Sequence, residues 1–266
     1  MYTKGWTFTM YHRPLPYVGI TDFTHPEQVE QMLAIFKKSL AKHQLMVGVM
    51  MSYKTLHGLP TKWTKAFPPK ESIADIFYSD DTYNCLHYAD YKDYSIRLWE
   101  NLSHVISYGG IGIHALQLDM IWPNPNAIWH SVHSSRKQLE VILQLNTNAL
   151  AEVGDNPEAL VNRLAEYEGI VHRVLLDKSM GRGLGMDVNF LRPFLYALST
   201  KTPWLSLGVA GGLGPKTMHL LGTLPKDFPN LSIDAQGQLR PSGSALDPID
   251  WDMARDYVVQ ALTIFR

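Results

Sequence analysis

The chain has 266 residues, a formal net charge of −1, 45% hydrophobic and 18% charged residues, and one cysteine, Cys85. This composition is typical of a globular protein with a full core, and the balanced charge excludes a basic surface for nucleic acid or an anionic membrane. The lone cysteine excludes an internal disulfide, the N-terminus lacks a signal peptide's apolar core, and no apolar run is long enough to span a bilayer, so we expect a cytoplasmic protein.

Short apolar runs of strand length alternate with stretches of helical periodicity along the whole chain. The runs lie at 17–23, 45–52, 84–91, 112–122, 139–146, 171–178, 203–212 and 231–236. Strict alternation of strands and helices predicts a parallel sheet covered by helices. Eight such units in about 250 residues have the size of a closed barrel. We therefore predict an α/β fold, a (β/α)8 TIM barrel, formed as one domain over residues 1–266.

Capping signals support the predicted helix starts. Four segments carry them: Thr24-His25-Pro26-Glu27, Asn124-Pro125, Asn156-Pro157 and Asp247-Pro248. The first offers a cap at Thr24 with a reciprocal Glu27, and the other three pair a capping side chain with a proline at the first helical position.

A long irregular segment, about 53–83, follows the second predicted strand. It exceeds an ordinary loop between a strand and a helix, which favours a lid or binding loop with one helix inside it. A decorative insertion is an equally open alternative. Trp63 and Phe67, together with Lys62 and Lys65, could close over an aromatic or basic ligand.

Glycine-rich turns follow the sixth and seventh strands. The segment "VLLDKSMGRGLGMDVNF" (174–190) is typical of a strand, a glycine turn and a helix, and the next strand ends in "VAGGLGPKT". A dinucleotide fingerprint would open the first unit, and a triphosphate loop needs Gly-Lys-Ser/Thr, so both are excluded. Barrels typically hold phosphate at this rim. We predict that Gly183, Gly185, Gly211 and Gly212 bind a phosphate group, although glycines can also simply turn the chain.

The order of these motifs resembles phosphoribosylanthranilate isomerase. The matching residues are Leu175-Leu176-Asp177, Gly183-Leu184-Gly185, Asn189-Phe190, Ala210-Gly211-Gly212-Leu213, Asp234 and Asp247-Pro248. "VGITDFTHPEQ" resembles that family's strand-one motif "KICGITRPED", and "LQLD" at 116–119 resembles its "VQLHG". The resemblance covers strands one, four, six, seven and eight in order, and no family motif occurs over 44–110.

The resemblance implies catalytic roles for some residues. Family members, which act in tryptophan biosynthesis, open the furanose ring with an Asp after strand six, and a Cys on strand one moves the proton in an Amadori rearrangement. The Asp matches Asp177. An ungapped alignment places Thr21 at the cysteine and Asp22 at the glycine that follows, whereas a gapped alignment places Val18 at the cysteine. Strand alternation points Thr21 inward and Asp22 away, although strand ends often break alternation. A threonine needs its own activator, so Asp22 or Asp234 is the expected partner of Asp177.

The remaining candidates are assigned by position. Gln117 and Asp119 share a parity on strand four and are expected to face the barrel mouth as substrate-binding residues. The family's basic "PxSxR" loop is absent, and Lys54, Lys62 or Lys65 are candidate replacements. His130 and His133 lie one helical turn apart, but no pattern supplies three or four convergent ligands, so neither a metal nor a cofactor is expected.

These patterns predict a sugar-phosphate isomerase whose phosphate-binding residues match the family and whose catalytic residues differ from the family's. Its expected partner is a phosphorylated small molecule, with no nucleic acid and no membrane. Two alternatives stay open: a phosphometabolite-binding barrel that has lost catalysis, and a metal-dependent barrel aldolase or hydrolase. Whether the chain forms a homo-oligomer also stays open.

Overall fold

A computed structural model describes residues 14–91, 97–177 and 185–266. Eight parallel strands pair in chain order, and the last closes against the first, so the predicted TIM barrel is confirmed. The strands are β1 (Tyr17–Thr21), β2 (Gln44–Ser52), β3 (Tyr83–Ala89), β4 (Ala115–Asp119), β5 (Glu140–Asn146), β6 (Arg173–Asp177), β7 (Ser206–Ala210) and β8 (Ser232–Ala235).

Helices follow the strands and pack around the barrel. In the described residues they are α1 (Pro26–Phe36), α2 (Tyr53–Leu56), α3 (Ile73–Ile76), α4 (Leu98–Tyr108), α5 (Pro125–Ser134), α6 (Thr147–Glu152), α7 (Pro157–Leu164), α8 (Val188–Lys201), α9 (Leu224–Asp227) and α10 (Trp251–Ile264). No helix within the described ranges has the length and hydropathy needed to cross a membrane.

Two of the four predicted helix starts are confirmed. The side chain of Asn124 accepts from the backbone N–H of Ala127 at 3.1 Å, and Asn156 caps α7 in the same way. Each cap satisfies N–H groups that have no partner inside the helix, and the following proline has no N–H to satisfy.

The predicted starts at Thr24 and Asp247 are wrong. Helix α1 begins after His25, and the side-chain oxygen of Gln28, not Glu27, accepts from the N–H groups of Thr24 and His25 at 2.8 and 3.0 Å. Helix α10 begins after Asp250, because the side chain of Asp250 caps it by accepting from the N–H groups of Asp252 and Met253 at 3.0 Å.

The segment between β2 and β3 contains two short helices, α2 and α3, and a 3-10 turn at 70–72, instead of the single helix expected. Its second half is anchored in the core through Ile73, Ile76 and Phe77. Lys65 Nζ lies 3.7 Å from Asp247 Oδ1 in the segment after β8. The insertion therefore reaches the same end of the barrel as the carboxyl ends of the strands.

Arg173 occupies the opposite, amino-terminal end of the barrel interior and is fully buried. Its guanidinium donates to Ser232 Oγ at 2.6 Å and to the carbonyl oxygen of Leu15 at 2.8 Å, and it lies 4.8 Å from the ring centroid of Tyr17. Residues at this end of a barrel normally contribute to stability, so Arg173 stabilises the fold by filling the interior with a hydrogen-bonded polar group.

Candidate functional site

Polar side chains line the interior at the carboxyl ends of the strands, where TIM barrels carry their chemistry. A cleft opens there, which we call the rim cleft. It is lined by Thr21, His87, Gln144, Leu175, Asp177, Ala210, Gly211, Gly212, Leu213, Asp234, Ala235, Gln236, Gly237 and Gln238. Three predicted catalytic residues, Thr21, Asp177 and Asp234, thus come together from β1, β6 and β8.

Asp234 is held by Thr21. The Thr21 hydroxyl lies 2.9 Å from one carboxylate oxygen of Asp234 and 3.1 Å from the other. Gly19, its neighbour on β1, makes room for this carboxylate, because an added Cβ there would lie 2.8 Å from Asp234 Oδ1. Burial raises the pKa of Asp234 to about 7, an effect that Asp177 and Asp22 reinforce and that His87 and Thr21 oppose. Near neutral pH this carboxyl can therefore both accept and release a proton.

Asp177 belongs to a chain of buried amides. Gln144 Nε2 donates to Asp177 Oδ2 at 3.0 Å, and Gln117 Nε2 donates to Gln144 Oε1 at 2.8 Å. Gln117 thus faces the barrel interior, as its parity predicted, but it supports Gln144 and does not line the rim cleft. Gln144 is missing from the predicted site residues, although alternation along β5 places it inside.

His87 enters the rim cleft from β3 and is also missing from the predicted site. Its ring Nε2 lies 3.9 Å from Asp119 Oδ2, and Nδ1 lies 3.5 Å from Gln117 Nε2. Burial lowers the pKa of His87, but Asp119, with Asp234 and Asp22, more than compensates, so the net pKa is raised. The alternation from Tyr83 through Cys85 is the signal that could have placed it inside the barrel.

Asp119 lies beside His87 on the neighbouring strand β4 and does not line the cleft. Its carboxylate accepts a hydrogen bond from the Tyr91 hydroxyl, and the side-chain nitrogen of Asn146 lies 3.4 Å from its other oxygen. These contacts fix its orientation toward the imidazole. Asp119 is therefore placed to act on His87, which differs from the direct substrate contact expected for it.

Asp22 lies outside the rim cleft, as strand alternation predicted. Its carboxylate forms a fully buried ion pair with Arg240 and accepts two bonds from Gln236 Nε2, at 3.0 and 3.2 Å. Burial raises the pKa of Asp22, while Arg240 opposes this effect. With both oxygens engaged, Asp22 is a weaker candidate than Asp234 for the partner of Asp177.

The glycine turn after β7 and the turn after β8 both line the rim cleft. Gly211 and Gly212 have φ values of +114° and +67°, a conformation that favours glycine. The two turns pack closely, because a Cβ on Gly214 would lie 2.5 Å from the carbonyl oxygen of Gln238. The predicted partner of the β7 turn, the turn after β6, spans 178–184 and lies outside the described residues, and the turn after β8 is an unpredicted part of the described cleft.

The other predicted binding residues do not line the cleft. Gly185 is exposed and faces Leu220, and Gly183 lies outside the described residues. Lys54 is exposed on α2. Lys62 lies over the ring of Trp63 at 5.0 Å. Among the described residues, no group of three or more His, Cys, Asp or Glu side chains is arranged to hold a metal ion.

Comparison with known proteins places this fold. No protein-family model and no curated protein matches the sequence. The structure is similar to phosphoribosyl anthranilate isomerase from Thermus thermophilus, with a TM-score of 0.62 and 15% identity over 93% of this chain and 98% of that one. The isomerase from Thermotoga maritima gives 0.57 at the same identity and coverage.

A second kind of barrel enzyme is also similar. Orotidine 5′-monophosphate decarboxylase from Methanocaldococcus jannaschii, complexed with the inhibitor BMP, has a TM-score of 0.54 and 10% identity over 95% of this chain and all of that one. At such identities the similarity establishes the fold alone. The chain has a TIM-barrel fold like that of phosphoribosylanthranilate isomerase.

Proposed function

We propose that this chain is a TIM-barrel enzyme that binds a phosphorylated sugar derivative and isomerises it by acid–base chemistry. The observation that carries the proposal is the convergence of Asp177 and Asp234 on one cleft beside the Gly211–Gly212 turn. A phosphate anchor and two proton-transferring groups are what an isomerase of this kind requires.

The phosphate end is supported by position and by backbone conformation. Phosphate in TIM barrels is frequently bound by the loops after strands seven and eight. Here Gly211 and Gly212 meet residues 236–238 across the cleft. Without side chains on the two glycines, a phosphate oxygen can approach the backbone closely. The similar barrels named above are all enzymes, two isomerases and one decarboxylase, which agrees with this assignment.

The chemical end is supported by the two carboxyl groups. Asp177 corresponds to the ring-opening acid of the resembling family, and its proton would go to the ring oxygen of the sugar. Asp234, with a pKa of about 7, is suited to accept the proton from the carbon next to the carbonyl or imine. Thr21 replaces the family's cysteine and binds Asp234, so the base role moves from strand one to strand eight.

Phosphate binding is tested with a matched pair of glycine variants. Gly212 and Gly154 have nearly equal φ values, +67° and +65°, but Gly154 lies on the far side of α6 with no atom within 4 Å of an added Cβ. Aspartate tolerates this conformation. Gly212→Asp should weaken binding of inorganic phosphate at least tenfold by charge repulsion, and Gly154→Asp should not change it, as measured by calorimetry. Equal affinity in both variants would exclude the turn as the anchor.

Catalysis is tested with phosphoribosylanthranilate and with ribose 5-phosphate in deuterated water. The wild type should incorporate deuterium next to the carbonyl carbon, and Asp177→Asn should lose at least 100-fold in kcat with phosphoribosylanthranilate. Asp80→Asn, at an exposed site, is the control. Phosphate binding without any exchange would instead identify a binding protein.

A further inference from the structure

We propose that His87, oriented by Asp119, is a further catalytic residue that transfers protons between the two oxygen atoms of the enediol formed in the rim cleft. The proposal rests on the proposed isomerase function and adds a third group to its acid–base chemistry. Neither the strand-one position nor any motif of the resembling family points to β3, so the assignment comes from the geometry alone.

The imidazole has an unused nitrogen at the site. His87 is only 6% exposed, and its Nε2 has no hydrogen-bond partner among the described residues. A buried polar atom without a partner costs about 1–3 kcal/mol, so it calls for an ordered water, a ligand contact or a proton-transfer role. Because His87 lines the same cleft as Asp177 and Asp234, a substrate bound there can supply the missing partner.

The surroundings favour the charged ring, in which Nε2 carries a transferable proton. Gln117 Nε2 lies 3.5 Å from Nδ1, at the outer limit of a hydrogen bond. Asp119 Oδ2, 3.9 Å from Nε2, is too far for a hydrogen bond but close enough to stabilise the charged ring. Asp234 and Asp22 also face the ring electrostatically and favour its protonated form.

With an aldose phosphate, the proton transfers balance when His87 starts protonated and Asp234 starts ionised. Asp234 takes the proton from C2, the C2–H electron pair forms the C1=C2 bond, and the carbonyl oxygen O1 takes the proton of His87 Nε2. The neutral imidazole then removes the proton of the C2 hydroxyl. Finally the enediol collapses to a C2 carbonyl as Asp234 returns its proton to C1. Both side chains end in their starting states, and no oxidant or further reactant is needed.

The test compares two buried histidines. His43 is also buried, but its Nε2 is bonded to the carbonyl oxygen of Leu231 at the other end of the barrel. His87→Gln should lower kcat at least 100-fold with ribose 5-phosphate, whose enediol carries both oxygen atoms, while the affinity for inorganic phosphate stays within twofold. His43→Gln should keep kcat within about threefold. Near-wild-type kcat in His87→Gln would overturn the proposal.

A second variant keeps the proposal testable even when His87→Gln does not fold. Asp119→Asn leaves the imidazole in place but removes the nearest charge that raises its pKa. The basic limb of the kcat profile should therefore move to lower pH, which a purely structural role of Asp119 would not cause. An unmoved basic limb would contradict the proposal. Absence of deuterium exchange in the wild type would overturn the isomerase function itself and this proposal with it.

Discussion

Replacing Asp234 with asparagine should change how the stability of the barrel depends on pH. The carboxyl is buried, and its pKa is raised from 3.8 to about 7. Between these values the folded state holds a proton that the unfolded state has lost. The stabilisation is therefore fully present below pH 3.8 and is lost as pH rises through about 7.

The size of the effect follows from the two pKa values. At about 1.4 kcal/mol per pH unit, the complete difference is roughly 4 kcal/mol. At pH 5 about 2.5 to 3 kcal/mol of this is present, and at pH 8 almost none. Asparagine keeps an oxygen that can accept from the Thr21 hydroxyl but does not titrate, so its contribution should be flat over this range.

Urea denaturation of the wild type and Asp234→Asn at pH 5 and pH 8 measures this directly. The wild-type advantage over the variant should fall by about 2.5 to 3 kcal/mol between the two pH values, because the subtraction cancels most other titrating groups. Asp80→Asn, which removes an exposed carboxyl, should change stability by no more than about 0.5 kcal/mol at either pH. A difference between wild type and Asp234→Asn that is constant with pH would refute the reasoning.

Three other outcomes test the packing around the site. Arg240→Met should lower the unfolding free energy by about 3–5 kcal/mol, because it leaves the buried Asp22 carboxylate without its cation. Adding Asp22→Gly to this variant should recover more than half of the loss in the same urea titration. Gly19→Ala should lower the unfolding free energy by about 1–3 kcal/mol through overpacking, since the new carbon would lie 2.6 Å from Met46 Cε. Gly154→Ala should lower it by only about 1 kcal/mol through backbone strain, and thermal unfolding measures both variants. Cys85 is fully buried, and burial raises the pKa of its thiol. It should therefore react with a thiol reagent only as fast as the protein unfolds. Rapid labelling under native conditions would show that the barrel opens locally.

The barrel could be predicted from the sequence because its signals are local. Each strand is an apolar run bounded by turn residues, and Asn124 and Asn156 cap their helices through atoms two or three residues away. The inward side of a strand end also follows from alternation, which placed Thr21 in the cleft and Asp22 outside it. Features of this kind need no knowledge of distant parts of the chain.

The missed features depend on partners that are far away in the sequence. Helix α10 is an exception, because its start depends on a local cap, Asp250, which lies three residues after the predicted Asp247. In the sequence His87 is one of eleven histidines, and only the pairing of β3 with β4 shows that Asp119 lies beside it. The turn after β8 was missed for the same reason, since only the closed barrel shows that it lines the cleft beside the β7 turn.

Asp22 links strand β1 to the turn after β8 that lines the rim cleft. An aspartate there stands where the family motif has glycine, yet its φ of +93° keeps a glycine-like conformation that costs a side-chain-bearing residue about 1–3 kcal/mol. Two backbone bonds hold it, because the N–H groups of Asp22 and Phe23 both donate to the carbonyl oxygen of Gly48 at 3.0 Å.

The side chain of Asp22 offsets that strain by tying β1 to the turn after β8. Arg240 binds the Asp22 carboxylate and also donates to the carbonyl oxygen of Gln236 at 2.6 Å, while the Gln236 side chain donates to the same carboxylate. Gln236 lines the rim cleft opposite the glycine turn. The strained residue, the buried cation and the turn after β8 therefore form one hydrogen-bonded unit. This is why Asp22 is better explained as a residue that supports the wall of the rim cleft than as a base.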